Sequence, residues 1–157
     1  MTTNTTELQK RLEKLAYKKT IAFCYGCYVQ APLGKCARCG SDDLMRELAD
    51  EGVEYGVDWV IRSLLSSELT SVNVEEAFEQ SMVDCYPETT KIGWLEYDTV
   101  STLKELDPVS WRCAQSDWES SEESDGQIVS FDGGVTYYWT QEVESYLDEN
   151  ESDEDCA

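Results

Sequence analysis

Four cysteines stand in the sequence as two Cys-x2-Cys pairs, Cys24 with Cys27 and Cys36 with Cys39, eight residues apart in a chain that has no histidine. Each pair can bend into a tight knuckle that presents two thiolates from one side, and two facing knuckles complete a tetrahedral shell of four sulfurs around a metal ion. This pattern constrains the first third of the chain more than hydropathy does. A stretch so short buries too little apolar surface to fold alone, and ligation supplies what the core does not. The reading is one bound Zn2+, with iron as the alternative ion. Four thiolates leave no open position for water, so the ion is expected to hold the chain together and not to act on a substrate.

Cys24-Tyr-Gly-Cys27 and Cys36-Ala-Arg-Cys39-Gly40 resemble the zinc ribbon and rubredoxin-type knuckle families over residues 20–40. The loop between the pairs is short for such a ribbon and favours a minimal double knuckle over an extended three-stranded form. Outside this segment the resemblance gives no guide.

Charge divides the chain near residue 50. Residues 1–50 hold eight Lys or Arg against six acids, whereas residues 51–157 hold four against 27. No Lys or Arg follows Arg112, although fourteen acids do. A surface of that sign repels nucleic acid and anionic membrane and attracts basic protein surfaces. A chain that is 41% hydrophobic and 11% aromatic is nonetheless too rich for a disordered polyanion, so the acidic part should fold. No stretch approaches the roughly 18 apolar residues of a membrane span, and the polar start is unlike a secretory signal. With an odd number of cysteines, four in metal spacing, a reducing cytoplasmic setting is expected, with Cys85, Cys113 and Cys156 as spare thiols.

The pattern predicts an α+β fold in three parts: a basic helix and four-cysteine zinc module over 1–50, an acidic domain over 51–147 with a small antiparallel sheet and several helices, and an acidic tail over 148–157. Leu8, Leu12, Leu15 and Ala16 give residues 5–19 a helical stripe, with Asn4 and Glu7 at capping-box spacing. Ser41 is expected to cap a short helix to about Leu48. Val57, Val60, Ile61, Leu64 and Leu65 mark a further helix, and Asn73 caps the next, which carries Val74, Ala77, Phe78 and Cys85; these two should pack together. Residues 91–97 read as a strand, Asp98 caps 99–106, and Asp107-Pro108 starts a helix that turns Val109, Cys113 and Ala114 inward. Residues 127–131 and 135–139 form a hairpin about Asp132-Gly-Gly134, and Thr140 caps a last helix to Leu147. In Tyr137-Tyr138-Trp139 at least one ring should face away from the core.

No catalytic pattern is present. Without histidine there is no standard triad base, phosphate-loop patterns are missing, and Cys85 and Cys113 sit at helix-stripe positions; the chain reads as a non-enzyme. The leading expectation is a regulatory or inhibitory protein that docks on a basic surface of a protein partner belonging to nucleic-acid-processing machinery. Its candidate docking residues are Glu75, Glu76 and Glu79 on one helix and Glu142, Glu144 and Asp148 on another. In size and composition such a chain is similar to small acidic DNA-mimic inhibitors carried by mobile elements against host defence, whose carboxylates stand in for phosphates. The alternative is a zinc-ribbon regulator of transcription or replication that binds nucleic acid directly through Lys10, Arg11, Lys14, Lys18 and Lys19.

Overall fold

The leucine stripe of the first helix decides where the main core lies. In a computed structural model that describes residues 2–155, with side chains described for 5–152, helix α1 (Thr2–Lys19) buries Leu8, Leu12, Leu15 and Ala16. They meet Val60, Ile61 and Leu65 of α2 (Asp58–Glu68) and Val143, Tyr146 and Leu147 of α6 (Thr140–Asp155). Each fully buried leucine here contributes about 1.5–3 kcal/mol. The helix begins before Asn4, whose side chain lies outside the described residues, as does Cys156.

Between α1 and α2 run β1 (Ile21–Cys24), β2 (Val29–Gln30), β3 (Met45–Leu48) and β4 (Gly52–Glu54), which form an antiparallel sheet in the order β2-β1-β3-β4. Two expectations are corrected. The extended, stranded form is present, not a minimal double knuckle, and residues 45–48 are a strand, not the end of a helix. The reason is long-range: β3 pairs Phe23 with Met45 and Ile21 with Glu47, and its Arg46 binds the end of α1. The guanidinium donates to the carbonyl oxygens of Tyr17 (2.9 Å) and Thr20 (2.8 Å) and lies over the Tyr17 ring. It thereby serves the last carbonyls of a helix, which otherwise lack partners. Ser41 caps no helix; its hydroxyl accepts from the Asp43 N–H.

Beyond α2 come α3 (Val74–Cys85), β5 (Thr89–Ile92), β6 (Leu95–Asp98), α4 (Thr99–Leu106), α5 (Pro108–Ser124), β7 (Ile128–Val129) and β8 (Tyr138–Trp139). Three caps fall where the sequence puts them: Asn73, Asp98 and Asp107 each accept from a backbone N–H three residues on, and Pro108 opens α5. Thr140 is instead the first residue of α6, and its buried hydroxyl makes no capping hydrogen bond. Helices α2 and α3 belong to different cores. Phe78 of α3 meets Val100 and Trp111, its ring 4.8 Å from the Trp111 ring, with Met82 and Trp118 at the margin. The inward stripe of α5 is therefore Trp111 and Trp118, while Val109, Cys113 and Ala114 are exposed, as is Cys85. Two stripes of helical period share α5, and the indole pair wins because it offers Phe78 far more contact area.

Residues 89–98 form a hairpin of their own, turning at Gly93 and Trp94, and do not join the β7–β8 pair in one sheet. The loop from β7 to β8 is built on side chains: Asp132 Oδ1 accepts from the N–H groups of Val135 and Thr136, and Ser130 Oγ from that of Gly134. Tyr137 and Tyr138 are both buried, and Trp139, half-exposed, is the ring of the three that faces outward, onto the cleft between α2 and α6. Helix α6 continues to Asp155, so residues 148–155 are helix and not a tail. Nor does residue 50 separate two cores, because β4 pairs with β3 and α1 shares its core with α2 and α6.

Candidate metal centre and acidic surface

The sheet carries the knuckles. Cys24 ends β1 and Cys27 follows in the turn to β2, while Cys36 and Cys39 lie on the path from β2 to β3. The second knuckle is closed by the Cys36 carbonyl accepting from the Gly40 N–H at 2.9 Å, with Gly40 in the left-handed region at φ 73°. In the first knuckle the equivalent position after the second cysteine is Tyr28, at φ 56°. A bulky residue there is strained, and its ring packs edge-on against Phe23 at 5.2 Å. Hence the two Cys-x2-Cys turns end in the same backbone conformation despite their different sequences.

All four sulfurs lie within 4.8 Å of one another. Cys24 Sγ and Cys39 Sγ are 3.7 Å apart, close to the edge of about 3.8 Å that sulfurs at about 2.3 Å from a tetrahedral zinc ion would span, and far beyond the about 2.05 Å of a disulfide. The chemistry of the donor set points the same way. Backbone N–H groups of Cys39 and Arg38 pull the Cys36 thiol down to about 6, whereas hydrogen bonds with Cys39 and Cys36 push the Cys27 thiol up to about 12. One thiolate forms readily and makes the next harder to form, a conflict that a cation relieves. The cysteines are thus placed to bind a metal ion with a complete set of sulfur ligands.

The basic helix is not free for a ligand along its whole face. Arg11 donates from Nε and Nη2 to both oxygens of Glu151, at 3.0 and 2.9 Å, and from Nη2 to Asp148 at 2.8 Å. Lys14 and Lys18 line the same α1–α6 seam. The half-buried guanidinium holds the Glu151 carboxyl below its ordinary range, first through the hydrogen bond. A depressed carboxylate contributes stability above its unfolded pKa, and that part is lost as pH falls through the lower, folded value. With both acids largely exposed, the pairing is worth about 1 kcal/mol or less. Lys10, Lys14, Lys18 and Lys19 are exposed.

The six candidate docking acids fall on two surfaces. Glu75, Glu76 and Glu79 lie on α3 beside the Phe78 core, where Lys104 Nζ meets Glu75 at 3.1 Å. Glu142 and Glu144 lie on α6 and open onto a cleft of about 950 Å³, and Asp148 turns to Arg11 instead. Sequence reasoning missed three members of the cleft: Glu68 at the end of α2, Asp125 after α5, and Glu149, assigned to the tail. They are joined only by the fold, and no local signal marks them. The cleft is lined by these five carboxylates with Trp139 and Tyr146, and by no Lys or Arg.

Among the described residues no helix is long and apolar enough to cross a membrane. Comparison with protein-family models, curated proteins and solved structures found no match.

Proposed function

We propose that the protein is a non-enzymatic cytoplasmic regulator or inhibitor, held together by a structural zinc ion, that docks through its acidic surface on a basic protein. The observation that carries this reading is the cleft between α2 and α6: five carboxylates around two aromatic side chains, with no cation in its lining. Such a site suits Lys or Arg side chains, which gain charge-assisted hydrogen bonds from the carboxylates and ring contact from Trp139. Surfaces that present many Lys and Arg are those that hold nucleic acid, so the favoured partner is nucleic-acid-processing machinery and the mode is competition with phosphate. A closed thiolate shell supports a structural role for the ion.

An arginine-rich peptide from such a surface is the direct probe. The protein should bind it with an affinity that falls steeply with salt, and Glu142→Lys with Glu144→Lys should weaken it by at least about tenfold, because both carboxylates change sign at the site. Lys14→Glu should leave it unchanged or tighter. Affinity insensitive both to salt and to the cleft reversals would contradict the reading.

The alternative, direct nucleic-acid binding by a zinc-ribbon regulator, rests on Tyr25 and Tyr28, both exposed at the first knuckle, with Lys35 and Arg38 exposed at the second. It predicts that duplex or single-stranded DNA binds with a marked salt slope and that Lys14→Glu weakens it. The pairing of Arg11 with α6 removes one of its proposed contacts.

A further inference from the structure

The β5–β6 hairpin has an apolar face that the chain itself leaves uncovered. Its register pairs Thr89 with Asp98 and Lys91 with Glu96, and between them Thr90 with Tyr97 and Ile92 with Leu95. Side chains alternate between faces, so the first two pairs form a polar face and the last two an apolar one. In an ordinary domain the apolar face is buried; here Ile92, Leu95 and Tyr97 are 52%, 45% and 44% exposed. Trp94, at the turn, is 92% exposed. Nine exposed large apolar side chains fall between Val83 and Val109 in the sequence, four of them, Ile92, Trp94, Leu95 and Tyr97, on this hairpin. A two-stranded hairpin with one apolar face exposed is marginal by itself, and an exposed apolar strand face with a tryptophan at its turn is the kind of surface an interaction partner covers.

Charge decides the occupant. The unit from Val74 to Ser124 carries thirteen acids against three basic residues. A second copy would bring the same sign of charge to the contact, and an anionic bilayer would be repelled likewise. A cationic partner gains in both respects, through steering over distance and apolar contact at close range. We propose that the apolar face of the β5–β6 hairpin, with Trp94 as anchor, docks a cationic protein segment that presents apolar side chains between its Lys or Arg residues. The inference rests on the acidic docking reading above and places a second, apolar element of that contact some way from the α6 cleft in the chain.

Two synthetic peptides of equal length and charge test it, one alternating Leu with Lys and one alternating Ser with Lys, each titrated against the full chain at physiological ionic strength. The Leu-Lys peptide should bind about tenfold tighter, the step expected from one well-buried aromatic anchor, with a blue-shifted tryptophan emission. Trp94→Ser should abolish that preference while leaving the Ser-Lys affinity unchanged. Because Trp94 packs on little else, the variant should keep the parent's circular dichroism; Leu95→Ser with Tyr97→Ser gives an independent second variant. Equal binding of both peptides would overturn the hairpin proposal and leave charge-led docking standing, whereas binding of neither would remove both. A Leu-Lys preference that survives both variants would also overturn it. So would a hairpin-dependent dimer that strengthens with salt in sedimentation, which would make the occupant a second copy.

Discussion

Replacing Cys36 with serine should unfold the four-stranded sheet and leave the helical core in place. From residue 20 to residue 56 the buried set is Thr20, Ala22, Phe23, Cys24, Ala31 and Cys36, so the segment fully buries one large apolar side chain and two of the four candidate ligand sulfurs, with Leu48 partly buried on the main core. That is far too little to offset the conformational entropy of ordering it, at about 1–2 kcal/mol per residue for the backbone alone. Under the zinc proposal metal ligation fills the gap, since a structural zinc ion contributes about 10–16 kcal/mol of apparent binding free energy in small thiolate modules. Loss of Cys36 removes a buried sulfur that accepts from the Arg38 N–H, together with the knuckle it anchors. Hydrogen exchange should then show residues 20–55 unprotected, while α1, α2 and α6 keep their protection through Leu8, Leu12, Val60, Ile61, Val143 and Leu147. Ala substitution of the exposed Cys113 should leave the exchange pattern as it is. Full protection of the sheet in Cys36→Ser would mean that the thiolate shell does not hold it.

Phe78→Ala should destabilise the second core by about 3–5 kcal/mol. The ring is 2% exposed, contacts Trp111 at 4.8 Å between centroids and lies 6.0 Å from Trp118. Helices α3, α4 and α5 meet on it, and its removal takes away the ring that Trp111 and Trp118 both pack against. Since the Phe78 and Leu12 clusters are separate, the loss should appear as early melting of α3, α4 and α5, with a red shift of Trp111 and Trp118 emission, before the main transition. A single transition shifted as a whole would show instead that the two cores unfold together.

What the sequence disclosed and what it withheld divide along range. Helices α2, α3, α4 and α5 were legible because their stripes, and caps such as Asn73, Asp98 and Asp107, are local chemistry. The four cysteines were legible because ligand spacing is short. Strand β3 was missed because Ser41 and the acids after it look like a helix start, while what makes Met45–Leu48 a strand is pairing with residues more than twenty positions earlier and the reach of Arg46 to the end of α1. Along α5 two stripes had equal period, and only Phe78, more than thirty residues away, selects Trp111 and Trp118. The acids from 148 on looked like a tail because nothing nearby balances them; their partner Arg11 lies 137 and 140 residues away. The same blindness hid the cleft, whose carboxylates come from α2, from the end of α5 and from both halves of α6.

These placements alter the meaning of the charge asymmetry. The basic helix and the acidic half are not two separate bodies: α1 packs on α6, and Arg11 binds α6 carboxylates directly. Under the docking proposal the contact surface is the acids of the cleft and of α3 together with the apolar hairpin face, while the knuckles sit on the sheet that follows α1.

Native mass spectrometry of the purified full chain, before and after stripping with a thiol-reactive mercurial, tests the metal centre most directly. The expected result is a single species carrying one zinc ion per chain, lost on treatment together with the narrow charge-state distribution of a folded protein. A metal-free chain with four reduced thiols and an unchanged folded distribution would contradict it.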